Sequence, residues 1–175
     1  MGKSVRTFIG IDPAFREYGI GICVLIEGQN GLKATFPRYR TTWDALNAIA
    51  DIARHAEGMD DTFFAVENSN QQNTTFQKYY GGKNVGQLLK ISRNVGANQA
   101  ISQLIVDLLK GYDVELLEIS PERKGSKWTK EGAAMIAKQY GIELPKTSQD
   151  DRDALKLALI LFEKKSGEKR PLLTI

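Results

Sequence analysis

The sequence has very little cysteine and histidine, and this excludes several kinds of chemistry. Among its 175 residues, Cys23 is the one cysteine and His55 the one histidine. A lone cysteine cannot form an intramolecular disulfide or a cysteine-rich zinc site, and Cys23 lies in an apolar stretch where a small buried side chain is expected. His55 lies in an amphipathic stretch, which favours a solvent-exposed helix position over a catalytic base. Any catalysis must therefore rest on carboxylates and lysines.

Long apolar runs are also missing. The longest are strand-sized, well short of the ~20 residues that span a bilayer. Residues 1–6 lead straight into an apolar strand rather than a signal-type core, and Arg6 stands where a myristoylation signal has Ser or Thr. We therefore expect a cytoplasmic protein. The length suits one domain over residues 1–175, with the tail 165–175 unassigned.

The excess of positive charge is small. A formal net charge of +3 and a pI near 8.9 permit an anionic partner without identifying one. Basic residues concentrate in two regions, 78–93 and 123–130. A solvated face is the ordinary interpretation of each region taken alone.

Apolar patterning and turn residues predict three strands, a helix, and then strands alternating with helices. The predicted strands cover residues 8–12, 18–24, 33–39, 62–66 and 114–119, and the predicted helices cover 42–53, 84–110, 129–140 and 150–164. Thr41 or Thr42 is the expected N-cap of the first helix. This order predicts an α/β fold with a five-stranded mixed sheet and helices on both faces.

Four carboxylates stand at the ends of these elements. Asp12 ends the first strand and Glu67 the fourth, while Asp150 and Asp153 begin the last helix on one face. If the first and fourth strands are neighbours, the four acids converge and need cations to neutralise them. Oxygen ligands select hard ions such as magnesium or manganese, which activate water and stabilise the leaving oxygen of a phosphodiester. Taken singly, each acid also fits a strand end, an N-cap or dipole compensation.

Together these motifs resemble the RuvC-like Holliday junction resolvases of the ribonuclease H-like superfamily. Gly10-Ile11-Asp12-Pro13 is similar to the family's opening motif, and Glu67 matches its glutamate at the end of the fourth strand. Asp150 and Asp153 match its closing pair of acids, and Gly86-Gln87-Leu88 matches a Gly-Gln step in its long helix. The resemblance covers about residues 7–161.

The resemblance implies an endonuclease that resolves four-way DNA junctions in recombination and repair. Its implied catalytic residues and metal ligands are Asp12, Glu67, Asp150 and Asp153, with Mg²⁺ as cofactor and Mn²⁺ as a substitute. It also implies a homodimer, for which the long helix from residue 84 is the expected element. The implied contacts to branched DNA are Lys83, Lys124, Lys127 and Lys130.

The chain departs from the family pattern at three positions. Ala14 replaces a glycine, and Asp151 adds an acid that makes the third ligand either Asp150 or Asp151. Asn70 stands where some members carry an aromatic residue that wedges into the junction. The candidate substitute for that wedge is Phe76, Tyr79 or Tyr80.

Other functions fit the sequence less well or stay open. Actin-like ATPases and sugar kinases need two lobes, and Gly82-Lys83-Asn84 lacks the remaining P-loop residues. A related nuclease acting on RNA or other branched DNA remains an alternative. So does a junction-binding module without catalytic activity.

Overall fold

The computed structural model describes residues 5–14, 19–71 and 85–167. The strands are β1 Arg6–Pro13, β2 Ile20–Gly28, β3 Gly31–Thr35, β4 Thr62–Glu67 and β5 Glu115–Ile119. The helices are α1 Thr42–Ala56, α2 Val85–Lys110, α3 Pro121–Lys124, α4 Lys130–Gln139 and α5 Gln149–Ser166, with a 3-10 turn at Ser69–Gln71. Throughout these described ranges, every helix is too short or too polar to cross a membrane.

The five strands form one mixed sheet in the order β3-β2-β1-β4-β5. β2 is antiparallel to both β1 and β3, whereas β4 is parallel to β1 and to β5. The predicted α/β class is confirmed, as is the prediction that the first and fourth strands are neighbours. Parallel pairing brings the carboxyl ends of β1, β4 and β5 to one edge of the sheet.

Helices cover both faces of the sheet, as predicted. Alternate residues of each strand point to opposite faces, so Ile9 and Ile11 pack in the core on the side of α1 and α2. Phe8 packs in the core formed with α4 and α5 on the other side, and Cys23 is fully buried there as expected. His55 is exposed on α1, which agrees with its expected solvent-facing position.

Two glycines let α5 lie directly on the sheet. A Cβ at Gly10 would meet the carbonyl oxygen of Ala154 at 2.1 Å, and one at Gly21 would meet that of Asp150 at 2.3 Å. Both separations are too short for any side chain, so the helix backbone can approach this closely only because these two residues are glycines. The close approach brings the first turn of α5 beside the carboxyl end of β1.

Two segments differ from the sequence prediction. The third strand was predicted to reach Tyr39, but it ends at Thr35, because Pro37 lacks the N–H that would continue the ladder. The predicted basic loop after β5 contains the short helix α3, whose first position is Pro121 and whose N-cap is Ser120. The N-cap of α1 is Thr41, one of the two predicted residues.

Candidate carboxylate site

β1 and β4 carry two carboxylates side by side. Ile11 pairs with Val66, so the next residues, Asp12 and Glu67, lie at the same sheet edge. Since Ile11 and Val66 face α1 and α2, the alternation of the strands turns both acids toward α5. Asp12 is only 6% exposed. A carboxylate in such a position is costly unless it has a cationic or hydrogen-bonding partner.

Helix α2 fixes the backbone at Glu67 and just beyond it. The buried Ser102 hydroxyl donates to the Glu67 carbonyl oxygen at 2.7 Å and accepts from the Ser69 N–H at 3.1 Å. The Asn70 side-chain amide donates to the Gln99 carbonyl oxygen at 3.0 Å. Ser102 is thus a positioning residue that sequence reasoning missed, because a serine inside a helical pattern gives no signal of its own.

The start of α5 adds a third carboxylate. Asp153 is 1% exposed, and its Oδ1 accepts a hydrogen bond from Gln149 Nε2 at 3.0 Å. Asp150 lies one turn earlier and is half-buried, with its backbone packed over Gly21. Because Gly21 pairs with Asp12, Asp150 lies beside the strand that carries the first acid.

The neighbouring Asp151 has a different set of partners. Its carboxylate accepts from the Ser148 N–H at 2.7 Å, and its own N–H donates to Ser148 Oγ at 3.1 Å. This capping box stabilises the start of α5. Asp151 also forms an ion pair with Arg38 at 3.1 Å. These contacts give Asp151 a structural role, which leaves Asp150 as the better candidate for a fourth ligand.

Lys124 lies at the centre of the carboxylate group. Its Nζ is 2.8 Å from Asp12 Oδ1 and 3.7 Å from Asp153 Oδ2, and it also contacts Glu67 Oε2. The side chain is only 7% exposed. The sequence prediction treated Lys124 as a DNA contact on a basic loop, whereas α3 directs it into the acidic cluster. No local pattern could reveal a contact between residues so far apart in the chain.

The charges in this cluster are strongly coupled. Burial raises the pKa of Asp12 to about 7, although the Lys124 charge opposes the rise and the Glu67 charge adds to it. Burial alone would lower the pKa of Lys124, but the charges of Asp12 and Glu67 outweigh it and raise that pKa. The ammonium therefore stays charged at neutral pH. Three acids share it, so the cluster remains short of positive charge.

A second buried lysine lies behind the cluster. Lys156 is 1% exposed, its Nζ donates to the Ser126 carbonyl oxygen at 2.9 Å, and it lies 5.1 Å from the centroid of the Trp128 ring. Burial and the Lys124 charge lower the pKa of Lys156, while the Asp153 charge opposes that shift. Lys156 thereby anchors the segment between α3 and α4 to α5.

The donor set fits a hard divalent cation in its chemistry. Asp12, Glu67 and Asp153 offer only oxygen ligands, which magnesium and manganese prefer. Glu67 Oε2 is buried, and within the described part of the chain it makes no hydrogen bond of ordinary geometry but contacts the Lys124 ammonium. Among the described residues, no three Asp, Glu, His or Cys side chains are spaced to hold a metal ion. The carboxylates are gathered around an ammonium, which a metal would have to displace.

The remaining predicted DNA contacts are placed only in part. Lys127 and Lys130 are exposed on the segment that leads into α4 and at the start of that helix. Lys83, Phe76, Tyr79 and Tyr80 lie outside the described residues.

Comparison with known proteins finds similarity at the level of structure. No protein-family model matches the sequence, and no curated protein matches it. A structure of Thermus thermophilus RuvC has 19% identity and a TM-score of 0.49, over 94% of this chain and 97% of that one. Another, T. thermophilus RuvC in complex with a Holliday junction substrate, has 15% identity and a TM-score of 0.51, over 93% of this chain and 96% of that one. With the observed sheet order, the second likeness shows a ribonuclease H-like fold.

Proposed function

We propose that this chain is a single-domain, structure-selective endonuclease that cuts four-way DNA junctions with the help of Mg²⁺. The observation that carries the proposal is the buried convergence of Asp12, Glu67 and Asp153 around one cation. The fold adds support, since it is shared with a RuvC structure that contains a Holliday junction substrate. This activity would place the protein in DNA recombination and repair.

The proposed metal ligands are Asp12, Glu67, Asp153 and Asp150, and Mn²⁺ would substitute for Mg²⁺. Metal ions held there would supply an activated water and stabilise the leaving oxygen of a phosphodiester. The protein contributes rigidity, because two strands and a packed helix hold the carboxylates. It also limits access of water, because Asp12 and Asp153 are almost fully buried. A dry site strengthens every electrostatic interaction within it.

Lys124 has two roles in this proposal. In the metal-free protein its ammonium neutralises part of the charge on Asp12 and Glu67, which lets the acids pack together. It also adds positive charge beside any phosphate that reaches the carboxylates. The exposed Lys127 and Lys130 would contact phosphates farther from the site, and such contacts make binding depend strongly on salt.

A homodimer is part of the proposal. Cutting two symmetrically related strands requires two active sites, and a two-fold dimer provides them. Among the described side chains of the long helix α2, Val85, Leu89 and Leu104 are large, apolar and exposed. Sedimentation velocity should show a dimer, and Leu89→Asp together with Leu104→Asp should yield monomers. A wild-type chain that sediments as a monomer at micromolar concentration would contradict the dimer.

One observation favours a second candidate, a junction-binding module without catalytic activity. Lys124 already occupies the position between the carboxylates. If it stays there when Mg²⁺ is present, no metal enters and DNA is held without being cut.

A substrate panel separates these possibilities. The wild-type chain is incubated with Mg²⁺ and a mobile synthetic four-way junction, a linear DNA duplex or an RNA duplex. A Glu67→Gln variant purified in parallel controls for contaminating nucleases. The proposal expects paired cuts in the junction, made by the wild type alone. Cutting confined to RNA would support the related nuclease, and binding without cutting would support the module.

A further inference from the structure

A groove runs beside the carboxylate site, between the segment after β3 and the segment before α5. One cavity of about 440 Å³ is lined by residues 37–40 together with Gly21 and Asp150. A second, of about 560 Å³, is lined by Phe36 and residues 145–148. Arg38 and Ser148 line both cavities, so we treat them as one feature and call it the edge groove.

The sheet itself explains why this groove exists. The pairing of β2 with β3 extends only from Gly28 to Val24, while β2 continues to Ile20. Residues 36–40 therefore separate from β2 and leave a gap along its first half. Gly21 lies in this gap and pairs with Asp12 on its other side. The edge groove thus ends next to the carboxylate site.

The cations of the edge groove point outward. Arg38 is 68% exposed on its side chain, and one of its nitrogens is fixed by Asp151 at 3.1 Å and by the Lys146 carbonyl oxygen at 3.4 Å. A guanidinium has five N–H donors, so most of them remain available. Arg40 and Lys146 are exposed, and no ion pair involves either side chain in the described part of the chain.

The acids of the edge groove offset only part of this charge. Asp151 is buried, paired with Arg38 and bonded to the helix N-terminus. Asp150 lies at the inner end, and with three cations against these two acids the groove keeps a net charge of +1 without a metal. Two partly buried aromatic rings, Phe36 and Tyr39, line the groove between the cations, and each also packs against one of the two hydrophobic cores. Alternating cations and aromatic rings along an open groove are typical of surfaces that follow a nucleic-acid strand.

We propose that the edge groove binds the sugar-phosphate backbone of the DNA strand that passes through the carboxylate site, with Arg40 and Lys146 as phosphate contacts and Arg38 as a prepositioned one. The inference rests on the proposed function, because it takes its ligand from there. The edge groove would be a second basic surface, formed by different segments of the chain from those that carry Lys127 and Lys130.

The test compares two double variants that remove equal charge. Arg40→Ala/Lys146→Ala removes two cations from the edge groove, whereas Arg54→Ala/Lys138→Ala removes two exposed cations elsewhere. Affinity for a four-way junction is measured in EDTA over a range of salt concentrations. Each lost phosphate contact should make the negative slope of log affinity against log salt less steep by about 0.9. The slope of the groove variant should therefore be less steep by about 1.8, and this variant should bind at least about tenfold more weakly at low salt.

The outcomes separate this inference from the proposed function. An unchanged slope in the groove variant, or equal losses of steepness in both double variants, overturns the inference about the edge groove. Cleavage of the same junction by the wild-type chain shows independently whether the proposed function stands. A groove-specific loss of slope in a protein that cuts no junction supports the groove and overturns the function. A wild-type chain that binds no DNA overturns both. Arg40→Lys/Lys146→Arg should restore the slope, since it retains both charges.

A crosslinking experiment gives a positional readout. Cys23 is fully buried, so a thiol-reactive photocrosslinker attaches only to an added cysteine. Attached to Lys146→Cys, it should crosslink junction DNA within a few nucleotides of the cut. Attached to Lys138→Cys it should not. Equal crosslinking at both positions would contradict the inference.

Discussion

Replacing Lys124 with methionine tests how the carboxylate site is held together. At an effective dielectric constant of ~20, an ion pair at the 2.8 Å between Lys124 and Asp12 is worth about 6 kcal/mol before desolvation is subtracted. The longer contact to Asp153, at 3.7 Å, is worth about 4.5 kcal/mol on the same basis. Removing one partner of a buried pair typically costs about 3–5 kcal/mol, because the remaining charge is left uncompensated. We expect Lys124→Met to lower the free energy of unfolding by that amount.

Magnesium should restore much of this lost stability. A divalent ion would supply the charge that Lys124→Met removes, and at a concentration of about 100 times its Kd it would add about 2.7 kcal/mol. In the wild type the ion must first displace the ammonium, so its stabilising effect should be smaller. Urea unfolding followed by circular dichroism, in EDTA and in Mg²⁺, measures both quantities. Lys127→Met is the matched control, since this exposed lysine lies three residues away and should change stability by less than about 0.5 kcal/mol.

Two results would refute this reasoning. Unchanged stability of Lys124→Met in EDTA would mean that the ammonium does not hold the carboxylates. A loss that is equally large in EDTA and in Mg²⁺ would mean that the metal does not take the place of the ammonium.

Two further predictions concern α5. Gly10→Ala places a methyl group against the helix backbone and should lower the free energy of unfolding in urea by about 3 kcal/mol or more. Gly28→Ala is the control, because a Cβ there meets nothing within 4 Å. Equal effects of the two substitutions would contradict the close packing of α5. Asp150→Asn should weaken Mg²⁺ binding in calorimetry. Asp151→Asn should instead cost about 1 kcal/mol by weakening the capping box, and a reversal of these two results would make Asp151 the ligand.

Much of the fold could be predicted because its signals are local. Strand and helix periodicities gave the element order, and the alternation of strands with helices gave the mixed sheet. Parallel pairing then placed Asp12 beside Glu67 without any knowledge of side-chain contacts. The N-cap at Thr41 was also predictable from residue type.

The contacts that set the chemistry were harder to predict because they join distant segments. Lys124 reaches Asp12 across 112 residues, and its path depends on where β5 and α3 lie. The ion pair of Arg38 with Asp151 depends on the early end of β3. A signal was available for α5, since glycines at positions 10 and 21 of two apolar strands indicate that another backbone lies close.

The most direct test of the proposed metal-dependent cleavage site is single-turnover cleavage of a four-way junction by Asp12→Asn. Asp12 lies inside the cluster, and Asn keeps its shape while removing the charge. The matched control is Asp51→Asn on the exposed face of α1. We predict that the wild-type cleavage rate depends on Mg²⁺. Asp12→Asn should lower that rate at least about 100-fold, which is more than substitutions around a metal's ligands usually cause. The affinity of Asp12→Asn for the junction in EDTA should be unchanged. Cleavage by Asp12→Asn at the wild-type rate in saturating Mg²⁺ would contradict the central claim.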